Sequence, residues 1–460
     1  MEHGGGVRGG HSRNKSLTKS TRPRSSTKGP LDVSDSGPPV ASEPAPMLSP
    51  GSVHQPRQDS LVSRSLAQSP ALNNATSLIS PEQTQVPVKD FSYLLRPEIY
   101  HPLTSTTIPG PFRSSPKQPA PETPIASLLA RGHFRAAAIA AVQELTSAPA
   151  AASTAFAHPP VSPTDYNRIF ALLHTRLLCL TLMDAADIAA QEARALEDLN
   201  APFYYDEITG EHLAPWELRV LTVRLQAMGF GDPRRAVMGY YELARDARAQ
   251  VVAASQSHDM TTCKFWKARL RDLGIRVVGA LVEMEDLAGA AALLSTLQPN
   301  VECDDSGKIA MSQALLWLHL GDVDAARACT LDTISGKGHV IAKVIGALSD
   351  MAEGNYPSAL VAWQELKNEA EKRGVDDEMI GVNMAVCFLY LGRMEEGRDA
   401  LDGMVQRGHN SRTILFNLAT MYELSTDKAK ALKLRLAERV ASMNESSKGW
   451  EKTNADLKLS

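Results

Sequence analysis

The stretch Ala347-Leu348-Ser349-Asp350-Met351-Ala352-Glu353-Gly354-Asn355-Tyr356-Pro357-Ser358-Ala359-Leu360-Val361-Ala362-Trp363 decides the fold. Apolar residues three and four apart on both sides of Gly354 mark two amphipathic helices joined by a short turn. Glycine accepts the positive φ needed where the first helix ends. Ala359, early in the second helix, lets the two backbones approach closely, and Trp363 one turn later fills the space toward whatever packs next. The same arrangement returns on both sides: Gly321-Asp322-Val323 leads to Ala326, Gly392-Arg393-Met394 to Gly397 and Leu401, and Glu285-Asp286-Leu287 to Ala290 and Leu294. A fifth turn, with Thr426 followed by Ala431, lacks the glycine.

The turn positions 285, 321, 354, 392 and 426 are separated by 36, 33, 38 and 34 residues. These steps bracket the roughly 34 residues of a tetratricopeptide repeat, a helix pair that buries its apolar face only by stacking on neighbours. Ala314, Ala347, Ala385 and Ala419 each precede a turn by seven residues, repeating the step on the first helices. The expected fold is therefore all-α, a tetratricopeptide-type α-solenoid of antiparallel helix pairs. The repeats are regular over 261–460 and degenerate over 121–260. In the degenerate part, Arg131-Gly132-His133-Phe134 leads to Ala137, and Gly231-Asp232-Pro233 leads to Ala236 and Tyr240. A further pair spans 164–197, turning near Met183-Asp184. Residues 200–215, rich in aromatics and interrupted by Pro202, read as an ordered loop packed on the solenoid.

Residues 1–120 hold 17 of the 28 prolines and few aromatics, so they are expected to form a long disordered N-terminal tail. They carry 13 Lys+Arg against 8 Asp+Glu in a chain whose net charge is −4. The basic cluster within residues 1–30 could touch anionic membrane or nucleic acid, but no aromatic interleaves it, and a solvated tail is the preferred reading. Ser49, Ser69, Ser80 and Ser115 each precede proline and are candidate phosphorylation sites. The apolar island at 91–103 is a candidate docking segment, with Phe91, Tyr93, Leu94, Leu95, Ile99 and Tyr100 as candidate partner-binding residues. The alternative for this island is a stretch lying on its own solenoid.

No enzyme signature survives inspection. Ser335-Gly336-Lys337-Gly338 would be a phosphate loop only with glycine in place of Leu331 and a hydroxyl in place of Gly338. Gly229 and Gly231 would need a third glycine where Arg234 stands. No HExxH or GxSxG string occurs, and no metal or cofactor is expected. The five cysteines lie far apart without a CxxC pair, reading as buried thiols in a reducing compartment. No apolar run is long enough to span a bilayer, and no apolar leader follows the N-terminus.

Two strings carry a more specific likeness. Asn383-Met384-Ala385-Val386-Cys387-Phe388-Leu389-Tyr390-Leu391-Gly392 and Leu415-Phe416-Asn417-Leu418-Ala419-Thr420-Met421-Tyr422-Glu423-Leu424 resemble the last two repeats of subunit 12 of the transport protein particle complex, TRAPP. The ending Thr453-Asn454-Ala455-Asp456-Leu457-Lys458-Leu459, and Pro215-Trp216-Glu217-Leu218 and Phe265-Trp266-Lys267-Ala268-Arg269 upstream, are similar too. The resemblance covers roughly 122–460. It implies a non-catalytic scaffold of a vesicle tether acting in ER-to-Golgi transport and autophagy. Its partners would be other TRAPP subunits, with a Rab GTPase reached only indirectly and no nucleic acid. Its place would be cytoplasmic, peripheral at ER–Golgi intermediate or Golgi membranes.

The alternative is a tetratricopeptide co-chaperone that grips an acidic C-terminus. The five clamp positions of such a domain would fall on Val344, Leu348, Asn383, Thr413 and Asn417, where the cations that hold a carboxylate are missing. Asn383 and Asn417 stay as candidate partner-binding residues, or as ties between neighbouring helices. The expected repeat-packing residues are Ala290, Ala326, Gly354, Ala359, Trp363, Gly392, Gly397 and Ala431.

Overall fold

A computed structural model describes residues 89–146, 160–297, 306–330 and 337–459. The basic N-terminal cluster, Ser49, Ser69, Ser80 and Cys303 lie outside the described residues. After a short helix α1 (Gly110–Arg113), helices follow in pairs: α2 and α3 (Ile125–Arg131, Phe134–Leu145), α4 and α5 (Tyr166–Leu182, Ala186–Ala193), and α6 and α7 (Trp216–Phe230, Pro233–Gln256). Then come α8 and α9 (Met260–Glu283, Leu287–Thr296), α10 and α11 (Ser306–Leu320, Val323–Ala328), and α12 and α13 (Lys337–Ala352, Tyr356–Lys372). The last are α14 and α15 (Glu378–Tyr390, Met394–Gln406) and α16 and α17 (Arg412–Ser425, Ala429–Ser442). The all-α solenoid of antiparallel pairs is what the described residues form; their extended pairing is confined to an isolated bridge between Tyr205 and His212.

One turn is repeated through the stack. Gly354 at φ 78° donates its N–H to Met351 O at 3.1 Å, and the following Asn355 N–H reaches Asp350 O at 2.8 Å, the paired bonds of a left-handed helix cap. Residues at positive φ hold the matching place in six other pairs: Gly132, Asp184, Gly231, Glu285, Gly321 and Gly392. In three of them the next residue is an aspartate, and Asp232, Asp286 and Asp322 cap the second helix by accepting from Arg234, Gly289 and Ala325 backbone N–H groups. Each turn therefore ends one helix and starts the next within three residues.

The fourth residue of the second helix is the point of closest approach. Ala137, Ala189, Ala236, Ala290, Ala326 and Ala359 are all 0% exposed there. Gly397 holds the same place in α15, where an added Cβ would lie 3.2 Å from Ala385 O and from Phe388 Cβ. Trp363 is fully buried, its indole N–H pointing at Met351 Sδ 3.3 Å away. The last pair departs from the expected register. Thr426 is extended, at φ −160°, so α17 begins a residue late, Leu432 takes the fourth position, and Ala431 faces solvent.

Successive first helices touch one another, as α4 does α6, α10 does α12 and α14 does α16, whereas each second helix packs between its own partner and the next first helix. The stack therefore curves with the first helices inside. The turns at 184, 231 and 285 are wider apart than the later ones because the 200–215 loop is inserted and α7 and α8 are 24 residues each.

Residues 89–120, expected to belong to the tail, are instead folded onto the helical body, and the 91–103 island is not free for a partner. Phe91 and Leu94 are 0% exposed and Tyr100 is 8%. Phe91 lies edge-on to Phe170 with ring centres 5.1 Å apart and also packs on Phe203 and Tyr204 of the 200–215 loop. Tyr93 and Tyr204 share a 2.7 Å hydroxyl contact, Tyr100 Oη donates to Leu94 O, and Leu95 and Ile99 rest on the same core. The two irregular segments bury each other, which neither could do alone. At the island's end, the buried Arg176 and Glu192 form a two-bonded ion pair, with Arg176 also donating to His101 O and Ala138 O and Glu192 accepting from His101 N–H.

The two ends of the solenoid meet. Residues 443–459 turn back over the last pair and reach the first: Trp450 N–H donates to Gly132 O at 3.1 Å, and Asn454 N–H to Thr107 O at 2.7 Å. Trp450 is 0% exposed between Phe112 and His133. Arg131 and His133 hold Glu445, Arg135 holds Glu451, and α1 lies on α17. Arg131 pairing first, then partial burial and His133, act on the Glu445 carboxyl with the net effect of lowering its pKa.

Two predictions follow from this packing. Ala359→Leu overfills a closed contact and should cost about 1–3 kcal/mol, whereas Ala431→Leu, on the solvent side, should stay within about 0.5 kcal/mol; urea unfolding with the opposite order would overturn the register. Gly132→Ala would place a Cβ 2.1 Å from Ser446 O, while Gly231→Ala, also at positive φ, meets nothing within 4 Å. Gly231→Ala should therefore show only the left-handed penalty of about 1–2 kcal/mol. Gly132→Ala should lose more, together with proteolytic protection of 104–120 and 443–459; equal effects of the two would exclude a tight closure.

Candidate functional site

The buried reactive groups behave as packed side chains. Burial pushes the Cys179 thiol up to about 12 and Cys387 up to about 11, so both are protonated at neutral pH and poor nucleophiles. Burial, then the nearby Arg219, lowers the His212 pKa, and the ring donates from Nε2 to Leu199 O while accepting at Nδ1 from the Ala214 N–H. Among the described residues, no three His, Cys, Asp or Glu side chains converge as a metal site. No described helix is long and apolar enough to cross a membrane.

What the fold builds instead is a surface. Exposed large apolar side chains concentrate on the first helices, inside the curve: Leu178, Phe265, Ile275, Leu315, Tyr390 and Phe416 among them. Those on second helices are fewer, namely Met238, Val252, Val361 and Leu434. Packing does not remove the contrast: first helices such as α14, which touches α13, α15 and α16, have several helical neighbours and still leave a face uncovered. Tyr390, 63% exposed, is held rigid by stacking on Tyr356 with ring centres 4.4 Å apart. Phe416 is covered on one side by the Lys458 ammonium, 5.1 Å from its ring centre.

Asn383 on α14 and Asn417 on α16 stand half-buried one repeat apart on these first helices. Neither side chain has a hydrogen-bond partner among the described residues. A side-chain amide offers both donor and acceptor, so two in neighbouring repeats present what an extended backbone needs. The clamp positions of a carboxylate-binding domain are differently filled: Val344 is 5% exposed and Leu348 packs on the α12–α13 core.

A second rigid patch was only partly visible as Pro215-Trp216 and Phe265-Trp266. Arg269 on α8 stacks its guanidinium 4.2 Å from the Phe265 ring centre, 4.8 Å from Trp266 and 5.1 Å from Trp216, while donating to Glu217 at 2.7 Å. The i, i+3 and i, i+4 spacing of Arg269 to Trp266 and Phe265 was a readable signal, but Trp216 comes from α6. Tryptophan, tyrosine and arginine held rigid at a surface are the composition of binding hot spots.

No family model matches the chain. Against curated proteins it is 23% identical over 314 residues to trafficking protein particle complex subunit 12 of Mus musculus, covering 62% of this chain and 38% of that one. The Homo sapiens protein of the same name is 24% identical over 305 residues, covering 59% and 40%. The chain thus spans about two fifths of the length of the curated relatives it matches. Among solved structures, a tetratricopeptide repeat protein from Parabacteroides merdae superposes with a TM-score of 0.33 at 13% identity, covering 63% of this chain and 98% of that one. The helical body built of these repeats is accordingly similar to subunit 12 of the trafficking protein particle complex, TRAPP.

Proposed function

We propose that this chain is a non-enzymatic scaffold of a TRAPP-type vesicle-tethering complex, linking peripheral subunits to the Rab-activating core in ER-to-Golgi transport and autophagy. It would act from the cytoplasm at Golgi or ER–Golgi intermediate membranes, touching the GTPase only through the other subunits. The observation that carries this reading is the inner face, where first helices leave large apolar side chains uncovered beside Asn383 and Asn417. Such a face suits a partner's extended or helical segment, with apolar contacts giving affinity and the two amides fixing register.

Crosslinking mass spectrometry on the assembled complex tests it. Crosslinks to other subunits should cluster on α8, α14 and α16, and Asn383→Ala with Asn417→Ala should weaken capture by about fivefold to a hundredfold, the worth of two hydrogen bonds. The melting temperature should not change, because neither amide supports the fold. Crosslinks confined to second helices, or capture unaffected by the double variant, would overturn the inner-face assignment.

A further inference from the structure

The closure of the two ends creates a cleft of about 480 Å³ between residues 106–113, α17 and residues 454–459. Its charged lining residues are all cations: Arg113, Lys430, Lys433 and Lys458. Lys433, only 6% exposed, and Lys458 share one carboxylate, Glu423. Lys433 also donates to Lys458 O at 2.9 Å, which fixes the tail against the helix. Arg113 and Lys430 are exposed and have no acidic partner among the described residues. The lining and its ion-pair partner therefore carry four positive charges against one negative. Like charges gathered in a concave site repel one another and focus a positive potential into it.

We propose that this cleft binds a ligand bearing clustered phosphates, such as an inositol polyphosphate, free or as a lipid headgroup. The volume lies within the roughly 300–1,000 Å³ of small-molecule sites. Ammonium groups bind phosphate as point charges and a guanidinium binds it through two parallel bonds, so three lysines and an arginine suit several phosphates on one small ring. An acidic protein segment fits less well, because the 106–110 turn bounds one side of the cleft and the 454–459 tail the other. Ile108, Leu434 and Leu459 add apolar surface, and Leu434 is 43% exposed. The four cations come from three segments, so a bound polyanion would bridge the N-terminal segment, the last helix and the C-terminal tail. Binding would then tighten the closure.

The test uses the full chain and three probes: inositol hexakisphosphate by calorimetry, phosphatidylcholine vesicles containing a phosphatidylinositol bisphosphate by flotation, and a polyglutamate peptide. Saturable binding to the free phosphate ligand is expected, weakening as salt rises, raising the melting temperature and slowing hydrogen exchange at 104–113 and 454–459. Arg113→Glu with Lys430→Glu should weaken it at least about tenfold without lowering the unliganded melting temperature, since both side chains are exposed and unpaired and reversing them relieves the repulsion among the cations. Lys372→Glu, on exposed α13 surface, is the charge control and should have no effect. Vesicle binding that shares this dependence identifies a lipid headgroup as the source, and its absence beside tight free binding identifies a soluble ligand; either supports the site. Failure of both phosphate probes, binding only to polyglutamate, or binding indifferent to Arg113 and Lys430 would overturn it.

Discussion

The structure depends on one close contact, made in every pair but the last: the fourth residue of the second helix against the first helix of its own pair. Only alanine or glycine fits there, and the approach it permits places the larger residues a turn later, Trp363 and Leu401, fully inside. A pair built this way is thin and has an apolar flank on both sides. It gains stability from its neighbours rather than from itself, so the two end pairs are the weak points of any such stack. Here the ends cover one another. Residues 89–120 and 443–459 have no repeat pattern of their own, yet they bury Phe112 and Trp450 and take up the flanks that an open solenoid would leave to water.

Charge at the closure is arranged differently from charge in the first core. Arg176 and Glu192 are at most 2% exposed, and each spends its remaining bonding capacity on backbone groups of neighbouring segments. Breaking such a pair by removing one partner leaves a buried charge and costs about 3–5 kcal/mol. The pairs of Arg131 with Glu445 and Arg135 with Glu451 are part-exposed, so solvent screens them. The first interaction anchors the end of the 91–103 island at His101. The second group aligns the ends, while Trp450 and the two backbone bonds hold them.

The features legible in the sequence were those written into consecutive residues. A positive-φ residue and a small residue five places on, joined in three pairs by a capping aspartate, specify every pair but the last within about ten residues of chain. Where that grammar lapses the sequence misleads: Thr426 is extended rather than left-handed, so the helix starts late and Ala431 turns outward. Contacts between distant segments were not legible, because periodicity is silent about them. Phe91 and Phe203 lie on segments that look equally irregular, and only the fold shows that each is the other's cover. The proline content of 89–120 pointed to a tail, but proline excludes regular helix rather than burial, and Ile108 and Phe112 are buried there. Asn383 and Asn417 could be placed because they keep the repeat step, whereas Arg113 and Lys458 have no common pattern.

Closure also changes what the inner face can do. An open solenoid flexes as a spring, and a partner binding inside it must first halt that motion at an entropic cost. Tying the last pair to the first removes the softest of those motions, leaving an inner surface whose exposed Tyr390, stacked on Tyr356, and part-buried Arg269, packed among three aromatic rings, are already held in place. Rigid aromatic and arginine side chains lose little rotamer freedom on binding, so affinity can come from few contacts. The same geometry couples the inner face to the closure, because α16 contributes Phe416 and Asn417 to one and Glu423, through Lys433 and Lys458, to the other. A ligand that tightened the closure would stiffen the helix that presents Asn417, and by reciprocity a partner seated on the inner face would favour the closed ends.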